Sequence, residues 1–160
     1  MQTEVTYHLV KSDDNLTHLA HSVAEALKDS PFKDIAVDMK LLEETISRFC
    51  IDTSDAKRFA LVAKVEDQVV GMIAASVLDE HFVFSNQKAG QEIVWWVHED
   101  HRKTEVSKEL MECLETWAKH NSLKHMFLSH YHNKYTNDMK KMYKAWGYQP
   151  VEYTYWKEME

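Results

Sequence analysis

The sequence predicts a single α+β domain whose elements follow the order β-α-α-β-β-β-α-β-α-β. Runs rich in β-branched and aromatic residues, typical of strands, alternate with stretches in which apolar residues recur at helical spacing. The length agrees with one domain, because 160 residues are enough for one substantial core and too few for two comfortable ones. We find no internal repeat, low-complexity tract or linker, so residues 1–160 are expected to form one domain.

The N-terminal third of the chain predicts one strand followed by two helices. Residues 3–10 form the strand, and the first helix is expected to end at Ser30-Pro31, because the residue before a proline disfavours helical backbone. The second helix is expected to begin near Asp38. Three polar residues before the first helix are candidate N-caps: Ser12, Asp13 and Asp14. Apolar residues at helical spacing, expected to face the core, are Leu16, Leu19, Ala20, Val23 and Leu27 in the first helix and Leu42, Ile46 and Phe49 in the second.

Residues 58–64 and 69–78 are two β-rich runs, and the short polar connection Glu66-Asp67-Gln68 between them predicts an antiparallel hairpin. Residues 81–90, with Ser85, Asn86 and Gln87, are expected to form a polar connecting loop. Further along, residues 123–130 predict another strand, and the alternation in residues 151–157 predicts a final one.

The helix between these last two strands ends at Gly147, which stands where a C′ glycine is expected. Its predicted inward stripe consists of Tyr135, Met139, Met142, Tyr143 and Trp146.

The stretch from Gln91 to Lys119 carries the strongest local pattern. The apolar run Ile93–Val97 is typical of a strand covered on both faces, and it leads through the charged turn HEDHRKTE into a helix that Thr104 can cap. A strand that runs into a helix N-terminus presents free backbone N–H groups and a positive dipole end, which together form an anion site. The apolar stripe of this helix consists of Val106, Leu110, Cys113, Leu114 and Trp117.

Composition and charge exclude several classes of function. The net charge of −7 and the pI near 5.8 argue against a general nucleic-acid binder or a protein that binds anionic membranes, and an acidic surface favours a cationic amine or a basic protein. No apolar run reaches the length of a signal peptide or a membrane span, so we expect a cytoplasmic protein.

The cysteines and histidines give no metal signature. Cys50 and Cys113 occupy apolar-patterned positions in helices, so we expect reduced core residues. Neither histidine pair is joined to cysteines or to an H-E-x-x-H helix, and no metal is expected. These pairs are His98 with His101 and His130 with His132.

The stretch from Gln91 to Lys119 resembles motif A of the GNAT superfamily of N-acetyltransferases. That motif has an acidic residue on a strand, a V-H-P-D-Y-like turn and an R-G-x-G-x-G/A loop that opens a helix. The positions at which this chain has similar residues are Glu92, Val97, His98, Asp100, Arg102, Leu110 and Trp117. The three small positions of the loop read Lys103, Glu105 and Ser107, so the pyrophosphate-binding loop is glycine-poor.

The resemblance covers nearly the whole chain. It implies a central, mixed but mostly antiparallel, twisted sheet flanked by helices, with the first two helices over the acceptor side of the cleft. It also implies an acetyl-CoA-dependent N-acetyltransferase that acts on a primary amine of a small molecule or a protein.

Acetyl transfer to an amine needs a base for the amine and an acid for the departing thiolate. The resemblance implies Glu92 as the base, while a single Glu at the start of an apolar strand is otherwise typical of an exposed edge. Burial beside the tryptophans would raise the pKa of that carboxyl, which suits a base. Tyr143 is the acid candidate, because K-M-Y-K-A-W-G-Y resembles the family's L-Y-x-x-x-G-F segment; the alternative is a core aromatic residue.

The resemblance also implies the residues that bind acetyl-CoA. The pantetheine arm pairs with backbone groups of Trp95, Trp96 and Val97 where two strands separate, although tandem tryptophans also suit core packing. Asn133 or Asn137 adds a further contact. The exposed lysines of the last helix either reach the 3′-phosphate or form a plain solvated face: Lys140, Lys141 and Lys144. The residues implied around the pyrophosphate are Arg102, Lys103, Thr104, Glu105, Val106, Ser107 and Lys108.

Two alternatives remain at this point. Lys103 and Glu105 in the phosphate loop suit a catalytically inactive GNAT-fold binding or regulatory protein that has lost the cofactor. A pantetheine arm delivered by another carrier would also depend less on this loop. A homodimer is a further expectation, from the apolar strand predicted at the C-terminus.

Overall fold

The structure, a computed structural model, describes residues 4–11, 14–51, 57–79 and 85–159, with the backbone alone at 49–51. The chain divides into two compact units, Met1–Ser129 and His130–Glu160. The first unit contains the sheet, and the second contains the last helix and the C-terminal residues. The predicted fold class is confirmed, because a mostly antiparallel open sheet is flanked by helices.

The elements of the first unit follow the predicted order. The strands are β1 (Val5–Leu9), β2 (Arg58–Val65), β3 (Gln68–Leu78), β4 (Ala89–Val97) and β5 (His125–Phe127). The helices are α1 (Leu16–Leu27), α2 (Met39–Ile51) and α3 (Val106–His120), with a short 3-10 turn at Glu99–His101. The sheet order is β1-β2-β3-β4-β5, antiparallel throughout except for the parallel pair β4 and β5.

The two faces of the sheet carry different helices. On one face, α1 and Ile46 of α2 pack against Val62, Met72 and Ala74. On the other, an added Cβ at Gly71 would lie 3.0 Å from Val106 of α3, so the absence of a side chain at Gly71 lets α3 approach β3 closely. The predicted α3 stripe is confirmed in most positions, with Val106, Leu110 and Leu114 buried and Trp117 stacked on Phe59 at 5.5 Å. Met111 and Ala118 also belong to the buried face.

Several local predictions are wrong. The N-cap of α1 is Asn15, whose side chain accepts the His18 N–H, whereas Asp14 accepts the Lys11 N–H; Ser12 and Asp13 lie outside the described residues. Cys113 is exposed rather than in the core, and the side chain of Cys50 is not described. Ile93 departs from the burial predicted for β4, because this one residue is 54% exposed while other β4 side chains pack toward both faces of the sheet.

The predicted final strand is also wrong, because residues 151–157 belong to no strand or helix in the structure. Other elements are confirmed with shifted ends. The hairpin between β2 and β3 turns through Glu66 and Asp67, with Glu66 at φ 54° and Gln68 already in β3. Asp38 accepts the Leu41 N–H at the start of α2, as expected of an N-cap. No helix in the described ranges is long and apolar enough to cross a membrane.

Candidate active site

β4 and β5 pair only over a short length and then separate. Their parallel register runs from Ala89 opposite His125 to Gln91 opposite Phe127 and stops there. β4 continues to Val97 along β3, so its opposite edge carries no β5 partner from Glu92 onward. An open strand edge offers N–H and C=O groups to an extended ligand.

A β-bulge lies where this opening begins. Ala74 is opposite Val94 and Ala75 is opposite Glu92, so Ile93 is the extra residue on β4. Directly opposed residues share a face of the sheet, and Ala75 in turn lies opposite Phe59, which stacks on α3. Glu92 therefore lies on the α3 face, whereas Val94 and Trp96 pack with the α1 core.

The carboxyl group of Glu92 is buried at the start of the opening. The residue is 6% exposed, and its Oε2 accepts the Ser129 N–H at 3.2 Å and the Ser129 hydroxyl at 3.3 Å. Burial raises the pKa of Glu92 to about 7, against the opposing effect of the two Ser129 donors. The exposed-edge interpretation of Glu92 is wrong, and its carboxyl is poised to exchange a proton near neutral pH.

The turn after β4 brings the predicted phosphate-loop residues to the N-terminus of α3. Helix α3 begins at Val106, and the N–H groups of its first turn have no intrahelical acceptor. Thr104 donates its hydroxyl to the His101 carbonyl at 2.7 Å and accepts the Val106 N–H at 3.4 Å. The formal N-cap residue is Glu105, which makes no side-chain cap bond, so Thr104 acts one residue earlier than a standard cap.

Arg102 is held by the protein itself. Its Nε donates to the Val97 carbonyl at 3.0 Å, and its Nη2 lies 3.4 Å from Asp29 Oδ2. The Asp29 and Arg102 side chains are 39% and 30% exposed. Arg102 thus joins the end of β4 and the segment after α1 to the loop, which is a structural role.

The carboxylate of Glu105 makes no hydrogen bond to the helix N-terminus and is exposed beside Lys108. Its side chain is 74% exposed, and its Oε2 lies 3.3 Å from Lys108 Nζ. Lys108 also lies 3.9 Å from Glu112 Oε1. The departure from the glycine-rich pattern therefore places a partly compensated charge at the surface rather than a carboxylate inside the loop. Lys103 is exposed in the same turn, and Ser107 is partly buried in the first turn of α3.

The second unit contains helix α4 (Thr136–Ala145), on which Tyr143 lies. The Tyr143 ring centroid is 5.8 Å from that of His130 and 6.2 Å from that of Tyr148. The predicted C′ glycine is confirmed, because Gly147 has φ 86° and donates to the Lys144 carbonyl at 3.1 Å. The Tyr148 N–H donates to the Tyr143 carbonyl at 2.9 Å, which completes a Schellman motif. This turn fixes the backbone at Tyr143.

The two predicted asparagines differ in their surroundings. Asn133 Oδ1 accepts the Tyr135 N–H at 2.9 Å, and its backbone exchanges hydrogen bonds with the buried Thr136, so Asn133 organises the start of α4. Asn137 is exposed on the first turn of α4. The stripe of α4 is partly buried, and the three lysines opposite are exposed: Lys140, Lys141 and Lys144.

The sequence matches a known protein-family profile over most of its length. The profile described as the Acetyltransferase (GNAT) family matches residues 20–148. The chain belongs to this family. The match spans Glu92, the phosphate loop and Tyr143. The resemblance inferred from motif A is thereby confirmed, together with a family chemistry of acetyl transfer. A comparison with curated proteins gave no significant match.

Solved structures of GNAT proteins share this fold. The chain is similar to a ribosomal-protein-alanine N-acetyltransferase from Brucella melitensis biovar Abortus 2308, with a TM-score of 0.70, 20% identity and coverage of 98% of this chain and 100% of that one. A predicted acetyltransferase from Clostridium acetobutylicum, solved with acetyl-CoA, has a TM-score of 0.73 and 16% identity, with coverage of 98% of this chain and 96% of that one. A glucosamine-6-phosphate N-acetyltransferase from Arabidopsis thaliana has a TM-score of 0.73 and 12% identity, with coverage of 98% of this chain and 99% of that one.

In this GNAT chain the first unit brings together Glu92, the open β4 edge and the loop before α3. Sequence reasoning did not identify Ser129, although a serine two residues beyond the end of β5 is the available signal. The β4 edge beyond its pairing with β5 and the N–H groups at the start of α3, which have no acceptor within the helix, are of the kinds that can accommodate an extended arm and a pyrophosphate. No group of three His, Cys, Asp or Glu residues in the described ranges is arranged to hold a metal ion.

Proposed function

We propose that this protein is an acetyl-CoA-dependent N-acetyltransferase whose acceptor is a primary amine and whose general base is Glu92. The observation that carries the proposal is a buried carboxyl with a pKa of about 7 at the point where β4 and β5 separate. A base works best when its pKa lies near the operating pH, because it is then deprotonated while still able to hold a proton. Membership in an acetyltransferase family supports the same reaction.

The reaction needs two proton transfers. The neutral amine attacks the thioester carbon, the C–N bond forms and the C–S bond breaks. Glu92 takes the proton that the amine nitrogen loses, directly or through one water, and Tyr143 gives its phenolic proton to the departing thiolate. Both residues then return to their starting states by exchanging protons with solvent. The products are an amide and a free thiol.

We propose that acetyl-CoA is held mainly by backbone groups. The residues proposed for the pantetheine arm are those of β4 beyond its pairing with β5: Trp95, Trp96 and Val97. The pyrophosphate is proposed to meet the N–H groups between Arg102 and Lys108, with the positive end of the α3 dipole behind them. Lys103 and Glu105 keep their backbone N–H groups, so these donors remain available to the pyrophosphate provided that the Glu105 side chain stays outside the loop. Asn133 and Asn137 are retained as further candidate contacts.

The acceptor is proposed only as a class. Similar structures carry names with a protein alanine and a sugar amine as acceptors. The net charge of −7 favours a cationic amine. An acceptor of this class would be available in the cytoplasm, where the sequence predicts the protein to act.

A second candidate function is suggested by the loop sequence. Lys103 and Glu105 replace the small residues of the family pattern, as expected of a GNAT-fold binding protein that has lost the cofactor. Such a protein would keep its function in its native context after Glu92→Gln and Tyr143→Phe, whereas an enzyme would lose it.

The first experiment is calorimetric titration of the protein with acetyl-CoA and with free coenzyme A at moderate salt. Micromolar binding supports the proposal, and turnover is then measured with a panel of amines for the wild type, Glu92→Gln and Tyr143→Phe. Loss of about 100-fold or more in kcat for Glu92→Gln is expected of a general base. Binding of neither ligand by the folded protein contradicts the proposal and favours the non-catalytic alternative.

A further inference from the structure

Ser129 and Glu92 make an asymmetric contact. Both donors of Ser129, the backbone N–H and the side-chain hydroxyl, reach the same carboxylate oxygen, Oε2. Within the part of the chain that the structure describes, no donor contacts Oε1. The two oxygens of this carboxylate therefore differ in their hydrogen bonding: Oε2 accepts two hydrogen bonds from Ser129, and Oε1 is left for another partner.

The position of Ser129 follows from the way the sheet opens. The last paired residues are Gln91 and Phe127, so a continued ladder would bring Ser129 to the β4 backbone two residues further on. Instead, the bulge at Ile93 intervenes, and the carboxylate of Glu92 accepts the Ser129 N–H. A side chain thus takes the place of a backbone acceptor at the start of the gap.

We propose that Ser129 is a positioning residue that fixes Glu92 through Oε2, so that Oε1 is the atom that receives the amine proton. The assignment of the proton to Oε1 rests on the proposed function, whereas the anchoring of the carboxylate does not. With one oxygen held by two donors, rotation about the last side-chain bond of Glu92 is restricted. A base that is held in one orientation avoids the loss of alignment that a freely rotating carboxylate would suffer.

The same contact sets the proton affinity of Glu92. Hydrogen bonds to a carboxylate favour its charged form, and the two Ser129 donors oppose the effect of burial on the Glu92 pKa. Among the residues that the structure describes, burial is the main cause of the raised Glu92 pKa, and the two Ser129 hydrogen bonds are the effects that oppose it. Removal of the hydroxyl leaves the backbone donor in place, so Ser129→Ala should raise the Glu92 pKa by about one unit.

The experiment compares three variants with the wild type: Ser129→Ala, Ser129→Thr and Ser22→Ala. Ser129→Thr keeps a hydroxyl at the site. Ser22→Ala is the matched control, because the Ser22 hydroxyl also donates one hydrogen bond, to the His18 carbonyl on α1. The Glu92 carboxyl is titrated by NMR in protein labelled with carbon-13 at the glutamate carboxyl, and its signal is identified by its absence in Glu92→Gln. This readout requires no enzymatic activity.

The expected result is a Glu92 pKa about one unit higher in Ser129→Ala, with Ser129→Thr and Ser22→Ala close to the wild type. An unchanged Glu92 pKa in folded Ser129→Ala would overturn the proposal, and so would an equal rise in Ser22→Ala. Where an amine substrate is found, the rising limb of the kcat/KM pH profile should move by the same amount in Ser129→Ala. A limb that stays in place while the NMR pKa moves would overturn the assignment of Glu92 as the base and leave the anchoring intact.

Discussion

Arg102 and Asp29 lie 3.4 Å apart, measured from Nη2 to Oδ2, although 73 residues of sequence separation divide them. The contact joins the segment after α1 to the turn that precedes α3. Because Arg102 also donates to the Val97 carbonyl, one side chain ties together three parts of the first unit. The geometry of the candidate phosphate loop therefore depends on a residue that sequence reasoning had assigned to direct phosphate binding.

Replacement of Arg102 tests this structural role. We expect Arg102→Ala to lower the free energy of unfolding by about 1–2 kcal/mol, from a charge-assisted hydrogen bond and a partly exposed ion pair. Asp29→Asn should lower it by less than about 1 kcal/mol, because it weakens the partly exposed ion pair and leaves the hydrogen bond from Arg102 to the Val97 carbonyl in place. Urea denaturation measures both values. Equal stability of Arg102→Ala and the wild type, with weaker coenzyme A binding, would instead indicate that Arg102 contacts the phosphates directly.

The raised pKa of Glu92 should appear in the pH dependence of stability. The folded-state pKa is about 7 and the ordinary value is 4.5, so the folded protein favours the protonated form. The contribution of Glu92 is fully present below pH 4.5 and is lost as pH rises through about 7. The full loss is about 3 kcal/mol.

The Glu92→Gln variant has no ionisable group at this position, so its free energy of unfolding should not show this decrease with rising pH. The stability of Glu92→Gln relative to the wild type should increase between pH 5 and pH 8, as measured by urea unfolding at both values. Subtracting the two proteins at each pH cancels the titration of all other groups. A stability difference that stays constant across this pH range would show that burial does not raise the pKa of the Glu92 carboxyl.

Charge at position 105 should affect coenzyme A affinity only moderately. The Glu105 carboxylate is exposed and paired with Lys108, so Glu105→Gln should tighten binding by about threefold, because a screened surface charge contributes little. The matched control is Glu112→Gln, which also removes a carboxylate near Lys108 but further along α3. Calorimetry at low and moderate salt gives the affinities. Tightening of tenfold or more would mean that Glu105 turns into the loop.

The close approach of α3 to the sheet should be sensitive to a single methyl group. In Gly71→Ala the new Cβ would lie 3.0 Å from Val106 Cγ1 and 3.1 Å from Leu110 Cδ1. Overpacking of this kind should cost about 1–2 kcal/mol of stability and displace the first turn of α3, which weakens coenzyme A binding.

The double variant Gly71→Ala with Val106→Ala provides the control for this prediction. Val106→Ala makes room for the added methyl group. Gly71→Ala should therefore destabilise the Val106→Ala protein less than it destabilises the wild type. Urea unfolding of the four proteins gives the coupling. Strict additivity would show that the contact between Gly71 and Val106 does not limit the packing of α3.

The local elements were largely predictable from sequence. Helical spacing placed Val106, Leu110 and Leu114 on the buried face of α3, and Gly147 marked the end of α4, because these features depend on hydrogen bonds and packing within a few residues. Cys113 shares the same spacing yet is exposed, since the buried stripe continues through Met111 and Ala118 instead. Helical periodicity identifies the buried face of a helix but does not determine which residues at the margins of that face are buried.

The alternation in residues 151–157 also predicted a strand that does not form in the structure. Alternation reports which side chains could share a face, whereas a strand requires a partner with free hydrogen-bonding groups. The same distinction applies to Glu92. Its place on an apolar strand was visible in the sequence, but the sequence pattern would have grouped it with Val94 and Trp96 at spacings of two.

By itself, the sequence determined the fold class, the GNAT family and the location of Glu92 and the loop on consecutive elements, because all of these are carried by residues close together along the chain. Only the tertiary structure decided that Ile93 is a bulge, that β5 leaves β4 after Gln91 and that Ser129 meets Glu92. These features depend on strand register and on contacts between residues 37 positions apart, which local spacing does not encode. Burial and long-range hydrogen bonding then set the proton affinity of the carboxyl.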